Sequence, residues 1–212
     1  MLIDIHIHTR EYSSCSNIDL ETAVIRSKAI GLDGMCITDH ENLGIADKAT
    51  YLSHRYNYLI IVGAEILTYE GDLLVFGLNV LPQEKQHAQN LVDLVAANGG
   101  VSIAAHPFRD NGRGMGEHIR SLKGAQGIEA FNGNTGPDEN YRAYTMGREL
   151  GIPCLAGSDS HDIGQIGKYV TSFSHPIGSL GDFITAIKGG HVAPAYHNRK
   201  TGIFEIMEDK SM

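Results

Sequence analysis

The sequence has no tryptophan, only 3 cysteines, and fewer bases than acids: 17 Lys+Arg against 25 Asp+Glu, a formal charge of −8. Each shortage excludes something. Cys15, Cys36 and Cys154 lie far apart and cannot all pair, so no disulfide framework is expected. That cysteine usage fits a reducing, cytoplasmic setting. The acidic balance argues against an extended nucleic-acid surface, which needs a basic footprint, but leaves room for a local basic pocket holding one phosphate. No run of about 18 apolar residues is present, so no membrane-spanning helix is expected. The opening MLIDIHIHTR places Asp4, His6 and His8 inside the first apolar run. A signal peptide has a basic start and an unbroken apolar stretch instead. At 42% hydrophobic and 20% charged, the chain is not disordered by composition, and 212 residues suit one domain with a real core. What it has in excess is histidine: 11, more than its 9 Tyr or 6 Phe.

Short apolar runs alternate with amphipathic ones. Residues Leu2–Ile7, Gly34–Thr38, Tyr58–Val62, Val101–Ala105, Gly127–Phe131, Ile152–Ala156, Tyr169–Phe173 and Val192–Ala195 read as strands. Glu65–Tyr69 and Leu73–Leu78 flank Glu70-Gly71-Asp72 as a hairpin. Helices are predicted at Asp19–Ile30, Gln86–Asn98, Asp138–Leu150 and Leu180–Lys188, each ending near glycine. Continuously apolar strands alternating with helices predict an α/β fold with mainly parallel pairing. A small closed or nearly closed barrel over residues 1–197 is expected as a single domain, with residues 198–212 an unplaced tail.

The polar residues sit at the ends of these runs. Alternation in the first strand points Ile3, Ile5 and Ile7 one way and Asp4, His6 and His8 the other. Three ionisable groups on a buried face are costly without partners. Imidazoles at i and i+2 can meet one metal ion, with Asp4 fixing a ring from behind. Asp39-His40, Glu65, His106-Pro107 and Asp159-Ser160-His161 each follow an apolar run. Barrel enzymes collect their chemistry at the carboxyl ends of strands. Any one of these pieces alone reads as a turn, a cap or a solvent-facing pair. All of them in phase with strand ends predict one cleft with more N and O donors than a single ion needs. His54, His87, His118 and His175 fall outside this pattern and read as surface or cap residues. His191 and His197 flank the last strand and stay unassigned, and Cys36 and Cys154 read as core.

In this order, Asp4-Ile5-His6-Ile7-His8, Thr38-Asp39-His40, Gly63-Ala64-Glu65, His106-Pro107 and Asp159-Ser160-His161 resemble the PHP family of metal-dependent phosphoesterases, named for polymerase and histidinol phosphatase. The resemblance implies a distorted (β/α)7, TIM-like barrel. It implies His6, His8, Glu65 and Asp159 at a first metal site, with Glu65 bridging to a second ion also held by His106. His40 and His161 belong to a third, and Asp39, like Asp4, supports the ligands from behind. Two positions depart from the family pattern. Where the family often has a histidine in the hairpin region, this chain has Asp72, which either replaces that ligand or leaves the site weak. Where the third site usually takes an Asp or His after His-x-His, Cys15 is the candidate. Two or three divalent ions (Zn, Fe or Mn) are therefore expected, a thiolate favouring Zn or Fe.

The expected reaction is hydrolysis of a small phosphate ester or nucleotide by a metal-activated hydroxide, with Glu65, Asp159 and His161 as its catalytic set. Arg109 and Arg113, after His106-Pro107, are the candidates to hold the phosphate. Short rim loops, Arg109–His118 and Asn132–Asn140, suggest an open cleft. Two other readings compete. An amidohydrolase also uses His-x-His and a late Asp, but often has a bridging Lys at a strand end, which this chain lacks. A non-catalytic PHP-like accessory module would show no turnover when loaded with metal.

Overall fold

The first strand, β1 (Leu2–Ile7), is buried along nearly all of its length, which requires neighbours on both edges and cover on both faces. The computed structural model, which describes residues 1–207, provides them in two sheets. In the first sheet, β1 pairs in parallel with β2 (Gly34–Ile37), and β2 pairs in parallel with β3 (Leu59–Val62). On its other edge, β1 meets β9 (Tyr169–Phe173), followed by β10 (Val192–Asn198) and β11 (Ile203–Ile206), all antiparallel. The second sheet begins with β4 (Ala64–Leu67), β5 (Asp72–Phe76) and β6 (Val101–Ala104), antiparallel to one another. It continues in parallel through β7 (Gly127–Asn132) and β8 (Cys154–Gly157).

The expectation of a closed or nearly closed, mainly parallel barrel is corrected in its pairing. The strands form two sheets, and about half of the pairings are antiparallel. The sheets meet at two seams made of single bridges, His40 with Glu65 and Ile7 with Ser160. At the first seam, β3 passes directly into β4 through Gly63. A Cβ there would come within 2.5 Å of the Phe76 ring and 2.6 Å of the Val75 carbonyl, so the chain can bend across only without a side chain. At the second seam, Thr171 Oγ1 accepts from Ala156 N and donates to Ala156 O, a side chain standing in for a missing ladder rung.

Three apolar layers follow from strand alternation. Ile3, Ile5, Cys36, Leu74, Phe76, Ile103, Leu155 and Phe173 fill the space between the sheets. A second cluster lies under helices α1 (Leu20–Ala29) and α2 (Ala46–Tyr56), and a third under α3 (Ala88–Ala97) and α4 (Pro137–Leu150). The remaining helix, α5 (Leu180–Lys188), sends Phe183 into the inner layer. The register shift between Asp4 and Ile7 breaks the alternation expected of β1. Ile3 and Ile5 stay in the inner layer, whereas Ile7 joins the cluster under α1. Bulges of this kind re-aim side chains next to functional sites.

Local signals set most helix ends. Asp19 caps α1 by accepting from the Glu21 and Thr22 amides, and Pro137 opens α4, which Gly151 ends in a left-handed turn. The helix α2 was not expected from the sequence. It has no side-chain cap and buries only Ala49 and Leu52. Residues 198–212, unplaced from sequence, include β11 at the sheet edge; 208–212 lie outside the described residues. No helix among the described residues is long and apolar enough to cross a membrane.

Candidate metal centre

Five imidazoles and three carboxylates converge at one end of the two sheets. His8, His40, His106, Asp159 and His161 follow β1, β2, β6 and β8, at the carboxyl ends of those strands. Asp72 opens β5 rather than ending it. Because β5 runs antiparallel to β4 and β6, its first residue arrives at the same rim.

Glu65 is the hub. Its carboxylate lies 2.8 Å from His106 Nε2, 2.9 Å from His40 Nδ1, 3.4 Å from His8 Nε2 and 3.8 Å from His6 Nε2. Asp159 Oδ1 stands 3.4 Å from His6 Nε2, 3.2 Å from His8 Nε2 and 3.7 Å from His161 Nδ1. The two Nε2 atoms of His6 and His8 are 3.0 Å apart. Among the described residues, donor atoms fall into four overlapping groups: His6, His8 and Glu65; His6, His106 and Asp159; Glu65, Asp72 and His106; and His8, His40 and His161. The clustered residues fit divalent ions well. Imidazole and carboxylate donors suit Zn, Fe and Mn, and Asp72 Oδ1 is buried with no hydrogen-bond partner, as a carboxylate aimed at a cation would be. His6, His8 and His106 are fully buried, while the His40 and His161 side chains are 31% and 24% exposed, so the centre has a floor and an open mouth.

Around these donors lies a frame that the sequence shows only in part. Glu129, whose role the sequence did not suggest, is the largest omission. Its Oε1 accepts from His6 Nδ1 at 2.9 Å, and its Oε2 accepts from His106 N and Asn132 Nδ2, each at 2.9 Å. A glutamate in the middle of the apolar run Gly127–Phe131 was the available signal, since a buried charge needs partners. Asp4 supports the site differently from expectation. It touches no ring but accepts from the amides of His6, Ser158 and Gly167, fixing β1 against the loops around the Asp159 segment. Asp39 accepts from Thr9 N, Thr9 Oγ1 and Ser13 Oγ, and Ser13 Oγ lies 3.4 Å from His8 Nδ1, so its influence on His8 passes through Ser13. Cys15 is exposed and belongs to none of the four donor groups among the described residues. His54, His87, His118, His175 and His191 are exposed, and Cys36 and Cys154 are buried in the layers.

Both arginines reach the centre. Arg109 donates to Asp159 and Asn132 through Nη2 and to Thr135 Oγ1 through Nε at 3.1 Å. Arg113 Nε donates to Asp72 Oδ2 at 2.6 Å, and its Nη2 lies 3.9 Å from Glu65 Oε2. Left-handed backbone at His106 (φ 27°) and Asp159 (φ 52°) turns these two ligands inward. Such strain in bulky residues clusters at functional sites.

The protonation pattern follows from burial and charge. Burial alone would lower His6, but Glu129 and Asp159 outweigh it and hold its pKa well above the usual value. Burial dominates at His8 and pushes it down to about 4. Burial would raise Glu65 and Asp159, yet imidazole neighbours, with Arg109 beside Asp159, hold both well below the carboxylate range. Asp72, buried beside Glu65, is pushed up to about 6. Near neutral pH the metal-free protein therefore keeps a proton on His6, which a metal must displace. Metal binding is expected to release protons, with affinity falling about tenfold per pH unit for each proton displaced below the raised His6 pKa. Calorimetry in two buffers of different ionisation enthalpy measures that release; a buffer-independent heat contradicts it.

Gly157 leaves room for this arrangement. A Cβ there would lie 2.7 Å from both Glu129 Oε1 and His6 Cβ, and neither side chain has space to retreat. Gly157→Ala is expected to destabilise the protein by about 1–3 kcal/mol and to weaken metal binding, read by urea unfolding and by metal competition.

Comparison with known proteins places this geometry. The PHP domain family matches residues 4–157, and a PHP-associated family matches residues 137–192, the segment holding Asp159 and His161. An uncharacterised protein of Methanocaldococcus jannaschii, MJ1587, is 25% identical over 142 residues, covering 62% of this chain and 82% of its own. Among solved structures, a candidate metal-dependent phosphoesterase from Bifidobacterium adolescentis superposes with a TM-score of 0.68 at 16% identity, covering 87% of this chain and 96% of its own. PsfC from Pseudomonas syringae gives 0.69 at 17%, covering 95% and 93%. An amidohydrolase from Chromobacterium violaceum, solved with bound sulfate and no metal, gives 0.62 at 17%, covering 77% and 88%. At these identities the structural likeness speaks for the fold.

Proposed function

This chain belongs to the PHP family, and from that premise we propose that it is a metal-dependent phosphoesterase acting on a small phosphorylated substrate. The observation that carries the reading is the Glu65 carboxylate within 3.8 Å of four imidazoles, with Asp72 and Asp159 flanking it. His6, His8, Glu65 and Asp159 would hold one ion, Glu65, His106 and Asp72 a second, and His40 and His161, beside His8, a third. Divalent ions bound there supply Lewis acidity and a water acidified from a pKa of 15.7 to about 7.

The chain's own residues supply the rest. Glu129 holds His6 in one tautomer, with Nδ1–H on its carboxylate and Nε2 toward the centre. Arg109 and Arg113 stand at the mouth with guanidinium groups beside Asp159 and Asp72, placed to take the non-bridging oxygens of a phosphate as negative charge develops. The His40 and His161 rings face each other across 6.3 Å at the open end, where an ester enters. Asp4 and Asp39 anchor the loops that carry these groups.

The test is hydrolysis of p-nitrophenyl phosphate by protein loaded with Zn, Fe or Mn. More than one ion per chain together with turnover supports the reading. Fully loaded protein that cleaves no phosphate ester in a broad panel, with Asp159→Ala retaining all of its metal, contradicts it. The likeness to the Chromobacterium violaceum amidohydrolase supports a second reading, hydrolysis of an amide. An amide panel run beside the phosphate esters separates the two. Absence of turnover on both panels supports a binding module instead.

A further inference from the structure

A cavity of about 420 Å³ lies beside the metal centre, between the turn after β7 and the β9–β10–β11 edge of the first sheet. Gly133, Asn134 and Gln165 stand between the two. Asn134 Nδ2 donates to the Asp159 carbonyl at 2.5 Å, and Gln165 Oε1 accepts from His161 N at 2.8 Å. Gln165 Nε2 donates to Asn134 Oδ1 at 3.2 Å, which ties the wall together. The cavity is thus a separate compartment, and a ligand in it is a second molecule rather than part of a substrate at the metals. Its opposite wall, with Tyr196, His197 and Arg199, comes from the β10–β11 hairpin, beyond both matched family segments.

Its cations differ from others on the surface. In a chain of net charge −8, Arg10 sits on Asp19, Lys48 on Glu11, Arg55 on Glu21 and Arg120 on Glu149. Lys168 and Arg199 have no carboxylate partner among the described residues, and no carboxylate lines the cavity. Glu205, the acid nearby, accepts from Tyr196 Oη at 2.5 Å and from Asn198 Nδ2 at 2.7 Å. The Lys168 ammonium donates to the Gly133 carbonyl, which uses one of its three N–H groups. Asn134 and Gln165 each use one amide N–H in the bonds above and keep a second. Two flat rings stand beside these donors. Tyr169 and Tyr196 are direct partners across the β9–β10 pair, so both leave the sheet on one face. Glu205 fixes Tyr196, and Tyr169 packs 5.8 Å from the Phe131 ring. Both tyrosines are half-buried, whereas Lys168 and Arg199 are exposed at the rim. Such a site suits a ring that packs on the tyrosines and an anion that stays with the cations. The guanidinium fork matches the two oxygens of a carboxylate, and the volume lies within the usual range for small-molecule sites.

We propose that this cavity is a second ligand site, separate from the metal centre, and that it takes a small aromatic carboxylate. Arg199 and Lys168 hold the carboxylate, and Tyr169 and Tyr196 pack the ring. The site goes beyond the phosphoesterase reading and stands without it.

Calorimetry on the metal-loaded full chain tests it with three probes. 4-Bromobenzoate carries ring and charge, 4-bromobenzamide keeps the shape without the charge, and cyclohexanecarboxylate keeps the charge without the flat ring. 4-Bromobenzoate is expected to bind saturably and about tenfold or more tighter than the amide, a factor set by one charge-assisted hydrogen bond. Against cyclohexanecarboxylate the expected preference is about threefold or more. Arg199→Met and Lys168→Met are each expected to shrink the preference over the amide toward one, and Arg199→Lys to keep part of it. Arg199 is exposed in the turn after β10, so its variants keep the fold even if Lys168→Met does not. Anomalous scattering from bromine in soaked crystals locates the probe. A peak beside Tyr169 and Tyr196 supports the site; a peak at the metal centre with none in the cavity overturns it. Equal affinity for benzoate and benzamide, or affinity indifferent to both substitutions, overturns it as well. So does occupancy at crystal concentration with no saturable heat in solution. Neither measurement involves turnover, so failure of the phosphoesterase reading and failure of this site are told apart.

Discussion

Glu65→Gln is expected to reduce bound metal below one ion per chain and to lower phosphoesterase activity by at least about 100-fold. The bound follows from supporting residues of metal sites, whose loss alone costs about 10–100-fold; Glu65 is a ligand rather than a support. The substitution is nearly isosteric, so the β4–β5 pairing of Glu65 with Leu74 survives, and the effect is one of charge. An amide cannot act as the anionic hub for His40 and His106 at 2.9 and 2.8 Å, and it places N–H groups where imidazole N–H groups already point. Asp72 then stands beside a neutral neighbour and its pKa falls from about 6, because Glu65 is one cause of its rise after burial. Metal analysis by mass spectrometry and a melting curve separate loss of ions from loss of fold. A variant that melts normally and retains its full metal content would remove Glu65 from the centre.

Glu129→Gln is expected to produce the second-largest effect through a residue that touches no ion. The glutamate accepts from three buried donors: His6 Nδ1, His106 N and Asn132 Nδ2. Glutamine keeps one acceptor oxygen and turns an NH2 group toward the remaining donors. At least one buried donor is then unmet, at a cost of about 1–3 kcal/mol in stability. His6 loses both its orientation and the charge that most strongly raised its pKa against burial. Metal affinity is expected to fall by about 10–100-fold, read by competition with a chromophoric chelator. The onset of metal binding on a pH scale shifts downward, because a His6 with a lower pKa gives up its proton more easily. An upward shift would mean that Glu129 does not control His6.

Much of this centre was legible in the sequence because strand-end polar residues are conspicuous against apolar runs. His6, His8, His40, Glu65, His106, Asp159 and His161 all meet, and Arg109 and Arg113 reach the same place. Asp72 was legible as a departure in the turn of the hairpin, and the antiparallel β5 that it opens brings it to the ligand rim. Most strands were read to within a residue or two, though β10 runs on to Asn198 and β11 was not expected. The β4–β5 hairpin was read correctly, whereas the antiparallel pairing of β5 with β6 and among β1, β9, β10 and β11 was not. Nothing in a run such as Val101–Ala105 distinguishes the antiparallel neighbour β5 from the parallel neighbour β7 when both faces are buried. Local pattern also could not reveal the break in β1, because a bulge is set by partners elsewhere in the chain. Glu129 was missed for a related reason: its three partners come from β1, the loop after β6 and the end of β7. Cys15, suggested by its place after His-x-His, is exposed and joins none of the donor groups among the described residues.

The central claim is that one multinuclear metal centre built around Glu65 holds a phosphate. Anomalous diffraction from crystals grown with metal and soaked in phosphate tests it most directly. The account predicts at least two metal peaks among His6, His8, Glu65, His106 and Asp159, with a phosphate contacting them and Arg109 or Arg113. A single peak away from Glu65, or full metal occupancy with phosphate bound only elsewhere, would contradict it.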